Sequence, residues 1–102
     1  MNDSVIQAVR DGLTAAGELV AYTDAGDIDT EIVAVVSFGV DAYSEDGEPM
    51  RDVITLRAMA SDLAAMTKSA RFTLDDGRVF KKMKMVRRDR YTTVFTLGEV
   101  SV

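Results

Sequence analysis

The sequence predicts a small, mainly β (α+β) fold: about six antiparallel strands forming a sandwich or partly open barrel, with an N-terminal helix and a short helical turn near 61–67. Three observations lead there. Short runs with period-two alternation recur along most of the chain, and turn-forming residues separate them. Helical spacing of apolar residues occurs only at the start. The 102 residues fit a single domain spanning 1–102, long enough to bury one ordinary core.

The elements follow in order. Asp3 or Ser4 can cap a helix over about 4–16, in which Val5, Ile6, Val9, Leu13 and Ala16 share a face and Asp3, Arg10 and Asp11 take the other. Gly12 weakens this helix by about 1 kcal/mol relative to Ala, and Gly17 ends it. So short a helix needs a surface to dock on. Leu19–Thr23 then reads as a strand and Asp24–Asp27 as its turn. The following strand places Ile32, Ala34, Val36, Phe38 and Val40 on one face. Its other face is also apolar near the middle, which predicts cover on both sides, with the first helix as one cover.

Residues 41–52 hold five acids, a Gly and the only Pro, without periodicity, and read as a mobile acidic surface loop. Val53–Arg57 resumes the alternation, with Ile54 and Leu56 facing inward. Ser61 can cap the helical turn, with Asp62 set against its positive end. Arg71–Leu74 leads to Asp75-Asp76-Gly77, a strong hairpin signal. The alternation of Val79–Val86 slips between Phe80 and Met83, which predicts a bulge near Lys81–Lys82. Tyr91, Thr93, Phe95 and Leu97 alternate along a last strand.

Composition narrows the chemistry. The chain has no Cys and no His, so thiolate zinc sites, cysteine nucleophiles and imidazole bases are excluded. Thr67-Lys68-Ser69 echoes the end of a phosphate-binding loop, but no Gly precedes it to let the backbone wrap a phosphate. Asp27-Ile28-Asp29-Thr30-Glu31 offers alternating oxygen donors without the Gly and terminal Glu of a calcium loop. Most acids lie in turns, where solvation makes them poor general acids. The sequence therefore predicts no enzyme, no cofactor and no metal. Met1-Asn2-Asp3-Ser4 lacks a basic leader, and every apolar run is far shorter than the ~18 residues that cross a bilayer, so a soluble intracellular setting is expected.

Charge is the most informative feature. A net of −5 divides sharply: residues 1–52 carry 12 acids against Arg10 and Arg51, a net of −10, while residues 53–102 reach +5. Such polarity suits contacts between like chains, acidic patch to basic patch. The candidate interface residues are Asp41, Glu45, Asp46 and Glu48 in the acidic loop, and Arg78, Lys81, Lys82, Lys84, Arg87, Arg88 and Arg90 on a basic stretch facing an acidic neighbour. The basic stretch, interleaved with Phe72, Phe80 and Tyr91, also fits a single-strand nucleic-acid surface on a small barrel. Two points oppose that reading: the alternation assigns Phe72 and Phe80 to the core, and the acidic half repels phosphates. Lysines on a sheet margin equally serve as a guard against edge pairing.

Three segments in order carry a resemblance: Val53-Ile54-Thr55-Leu56-Arg57-Ala58 with Ser61-Asp62-Leu63, then Phe72-Thr73-Leu74-Asp75-Asp76-Gly77-Arg78-Val79-Phe80, then Val94-Phe95-Thr96-Leu97-Gly98. Together with the short N-terminal helix and acidic loop, the chain resembles the head–tail joining (tail attachment) proteins of lambda-like tailed phages and prophages. It departs from that pattern at two turns, before Ser69-Ala70-Arg71 and at Asp89-Arg90-Tyr91. The resemblance implies a structural virion-assembly protein without a catalytic step. It would form a hexameric ring between head-vertex (portal or head-completion) proteins and tail-end proteins. It would assemble in the bacterial host cytoplasm and end at the head–tail junction, the loop ordering when it docks. The alternative is a nucleic-acid-binding or tail-tube-like, tail-terminator small barrel.

Overall fold

A computed structural model describes residues 3–24, 29–64 and 66–100, and the side chains from Gln7 onward. Helix α1 (Asp3–Ala16) precedes strands β1 (Glu18–Thr23), β2 (Asp29–Tyr43) and β3 (Pro49–Met59). A 3-10 turn (Ala60–Leu63) then leads to β4 (Arg71–Thr73), β5 (Val79–Arg88) and β6 (Thr92–Glu99). All pairings are antiparallel, and the strands form one sheet in the order β1-β2-β3-β6-β5-β4 that rolls into a closed barrel. The mainly β class and the six strands match expectation. Closure goes beyond the sandwich or partly open barrel expected, because the short β4 bonds β1 on one side and β5 on the other.

The interior follows the alternation. Val20 stands across from Ile32, Ala34 from Ala58, Leu56 from Phe95 and Phe72 from Phe80, and all eight are buried. The Phe72 ring stacks on Tyr22 at 5.4 Å and lies 5.5 Å from the tilted ring of Phe95. The helix packs outside the barrel, on β2 and β3. Leu13 and Met59 are buried but stand apart from the cluster that fills the barrel, as a covered outer face requires. Gly17 ends α1 as expected. Its N–H bonds to the Leu13 carbonyl at 2.7 Å, and a Cβ there would lie 2.7 Å from the Ala34 carbonyl oxygen. No helix among the described residues is long and apolar enough to cross a membrane.

Four expectations need correction. Residues 41–52 are not a loop: β2 runs on to Tyr43 and β3 starts at Pro49, so only 44–48 remain as the connecting turn. Phe38 does not face inward. The β2–β3 register slips between Ser37 and Val40, Gly39 takes φ 69°, and Phe38 emerges 49% exposed beneath the Arg78 guanidinium. The bulge of β5 lies past Lys82, between Lys82 and Met85, and a second follows before Arg87. Thr96 Oγ1 accepts the Lys84 N–H at 2.9 Å, replacing a ladder bond that the first bulge removes. Finally, the helical turn shrinks to Ala60–Leu63, and Met59 precedes it without a side-chain cap, so Ser61 does not cap it. Arg10 of α1 instead meets Asp62 at 3.7 Å. Beyond Phe80, β5 is paired with β6 alone among the described residues.

Phe72 touches rings from two other strands at zero exposure. Phe72→Ala is expected to cost about 3–5 kcal/mol in urea unfolding, whereas Leu19→Ala, on the exposed outer face, changes stability by less than about 0.5 kcal/mol.

Candidate functional site

Two acids of 41–52, Glu45 and Glu48, meet two bases of 78–90, Arg88 and Lys84. Beyond Gly39 and Asp52, β2 and β3 continue as a two-stranded arm in which Val40 pairs with Val53, Ala42 with Met50 and Tyr43 with Pro49. Both strands change direction at one level: Gly39 has φ 69° and Asp52, the one described non-glycine residue with positive φ, has 55°. The Asp52 N–H bonds to Asp41 Oδ1 at 3.2 Å, so Asp41 braces the base of the arm. It does not join the tip with Glu45, Asp46 and Glu48.

Ser44 shapes the tip. Its N–H bonds to the Glu48 carbonyl at 2.9 Å, its carbonyl accepts from Gly47 N–H at 2.9 Å, and its Oγ accepts from Glu48 N–H at 3.1 Å. Sequence reasoning passed over this residue, although Ser followed by Gly three positions on is a turn signature. The arm crosses β6 and its tip reaches β5. There the Glu45 N–H bonds to the Met85 carbonyl at 2.8 Å, Glu48 pairs with Lys84, and Glu45 pairs with Arg88 at 3.5 Å. The hydrogen bond to Glu48, followed by the charges of Glu48 and Asp46, raises the Lys84 ammonium pKa above its ordinary value. A cleft of about 400 Å³ lies between arm and barrel, lined by Met50, Val53, Ile54, Met83 and Leu97 among others.

The other candidate cations divide into separate environments. Arg78 bonds Asp76 at 2.7 Å and lies over Phe38 and Phe80. Arg87 pairs with Asp89 at 3.2 Å. Asp89 accepts the N–H groups of Thr92 and Tyr91, which hold its carboxyl below the usual carboxylate range and fix the turn from β5 to β6. Arg90 is exposed in that turn. Lys81 and Lys82 line an open groove of about 580 Å³ with Lys68, Thr67, Met66 and Met83. Among the described residues, neither they nor Lys68 has a carboxylate within ion-pair distance. Phe72 and Phe80 are fully buried and offer no face to a base, while Tyr91 is half-buried.

Asp24 has a role that its place in a predicted turn did not reveal. Its carboxylate accepts from Tyr22 OH at 2.7 Å, from Thr67 N–H at 2.8 Å and from Thr67 Oγ1, bracing the end of β1 against the chain before β4. Thr67 is therefore committed to an anion already, which adds to the case against a phosphate there. The rest of the predicted turn, 25–27, lies outside the described residues, as do Asp27 and Ile28 of the oxygen-donor run. Among the described residues no group of three or more acidic side chains is placed to hold a metal ion. No protein-family model matches this chain, and no curated protein is significantly similar to it.

Two outcomes follow. Lys84→Gln removes the partner of Glu48 and is expected to speed hydrogen exchange at the Glu45 amide severalfold, leaving the Leu56 and Phe95 amides unchanged. Burial, then the hydrogen bond and charge of Asp24, push the Tyr22 phenol from 10.0 up to about 12. Because the folded value is the higher one, this group's stabilisation is complete below pH ~10 and is lost as pH rises through about 12. Ultraviolet titration should show one of the three tyrosines ionising late, a step that Tyr22→Phe abolishes.

Proposed function

We propose that this chain is a structural joint in the assembly of a tailed-phage particle, linking the DNA-filled head to the tail by protein docking and without a catalytic step. The observation that carries the reading is the β2–β3 arm. It extends past the barrel strands and carries Glu45, Asp46 and Glu48 on the five-residue turn 44–48, with the exposed Tyr43 at the end of β2 beside it. The order of motifs from Val53 to Gly98, similar to that of head–tail joining proteins, gives the arm its proposed setting. In that setting several copies form a ring, a hexamer in the resembled family, between head-vertex and tail-end proteins in the host cytoplasm. The division of charge between the two halves of the chain supports repeated contacts of this kind. A nucleic-acid surface is the weaker reading, because two of the three rings interleaved with the basic residues are in the core.

The test is complementation. Purified protein added to filled heads and free tails is expected to restore infectivity. Reversing Asp41, Glu45, Asp46 and Glu48 to Lys should lower the yield by at least about tenfold, which needs only 1.4 kcal/mol of lost docking energy. Full activity of the reversed variant would remove the arm from the docking surface. Failure of the native chain to join heads and tails, with salt-sensitive retention of oligonucleotides, would replace the proposal with the nucleic-acid reading.

A further inference from the structure

We propose that the arm is exchanged between copies of this chain, the acidic tip of one molecule closing on Lys84, Met85 and Arg88 of a second. The inference concerns the isolated protein and does not depend on what the assembly joins. Four observations carry it.

The first is a hinge. Gly39 and Asp52 both take positive φ where the arm leaves the barrel, and they face one another: a Cβ on Gly39 would stand 3.6 Å from Asp52 Oδ1. Changes in backbone direction confined to facing residues at the base let an arm swing as a unit.

The second is the weakness of the latch. The Lys84–Glu48 and Arg88–Glu45 side chains remain 48%/58% and 65%/52% exposed, so water competes for each pair. One backbone hydrogen bond, from Glu45 to Met85, completes the attachment of the tip to β5. Asp46 adds only its charge near Lys84, so release of the tip breaks few interactions.

The third is reach. Residues 40–45 extend about 20 Å at the rise of a strand, comparable with the 23 Å shortest dimension of the molecule. A tip swung out on the hinge therefore clears its own barrel and meets a neighbour's. The contacts it makes there are the ones it gave up, because every copy carries the same Lys84, Arg88 and Met85 carbonyl. Exchange is then decided by concentration rather than by new chemistry, as in other swaps of identical elements.

The fourth is the fit of the arm to its own barrel. The cleft of about 400 Å³ beneath it is bordered by Met50, Val53, Met83 and Leu97, apolar surface that the folded-back arm leaves incompletely filled. Met83 is 55% exposed beside it. This open apolar surface is available to a second barrel brought close by an exchanged arm, and covering it would favour the paired state. The complementary charge is already at the contact: an acidic tip on one copy, a basic strand on the other.

The Glu48–Lys84 pair is in contact, so a carbodiimide will couple its carboxylate and ammonium directly as an amide. The native chain, mixed as equal parts ¹⁴N- and ¹⁵N-labelled protein, refolded together and coupled, distinguishes the two arrangements by mass spectrometry of the linked peptide. Exchange predicts a species with one light and one heavy half, rising with protein concentration toward half of the linked peptide. Linked peptide that is all light or all heavy at every concentration would show the arm closed on its own barrel and overturn the proposal. Absence of the 48–84 link under conditions that couple other pairs would overturn it as well. A variant with Lys84→Glu and Arg88→Glu, mixed with one carrying Glu45→Lys and Glu48→Lys, supplies the second arm. The mixture should form the heterodimer by sedimentation, while each variant alone remains monomeric. Equal behaviour of mixture and components would again exclude exchange.

Discussion

Phe72 is the point on which the barrel depends. It lies in the middle of a three-residue strand, its backbone pairs with Tyr22 on one side and Phe80 on the other, and its ring fills the interior between Tyr22 and Phe95. A strand of three residues makes few hydrogen bonds, so β4 closes the sheet chiefly because its central side chain has no better place than the core. The burial of one ring thus joins β1, from the acidic half of the chain, to β5, from the basic half. The Asp24 carboxylate reinforces the same seam, gripping Thr67 across 43 residues of sequence.

Closure also explains where the charges go. Once the barrel forms, the apolar alternation is spent inside, and the longest hairpin has residues left over. These cannot enter the barrel, so they fold back across β6, where the acid of the first half finds the base of the second. The apparent polarity of the sequence is therefore partly neutralised within one molecule, at Glu45–Arg88 and Glu48–Lys84. Among the described residues, Lys68, Lys81 and Lys82 meet no carboxylate and lie on another part of the surface.

The barrel interior was legible because it obeys a local rule. Ile32, Ala34, Leu56, Phe72, Phe80, Phe95 and Leu97 follow period two and are buried. Phe38 obeys the same period and is not, because Gly39 beside it reverses the backbone and resets which face is inside. The bulge in β5 could be anticipated but not placed, since its position depends on Thr96, a residue of the neighbouring strand. The arm was the largest misreading. Its acids and Pro resemble a loop by composition, and the pairing of 40–43 with 49–53 involves side chains too polar to show an apolar pattern. The residues that receive its tip lie some 36 positions further on, beyond any local signal. The candidate site was therefore legible as a set of charges, and not as an arrangement.

The two bulges of β5 have a consequence for the chain as a material. A strand margin left open beyond Phe80 would ordinarily be a template, and stacked copies of such a margin are how fibrils begin. Here the main-chain repeat is interrupted twice within six residues, between Lys82 and Arg87, with Lys82 before the first break and Lys84 within it. No regular strand can follow that margin for more than a short distance. The chain can therefore be concentrated without its sheet spreading from one molecule into the next.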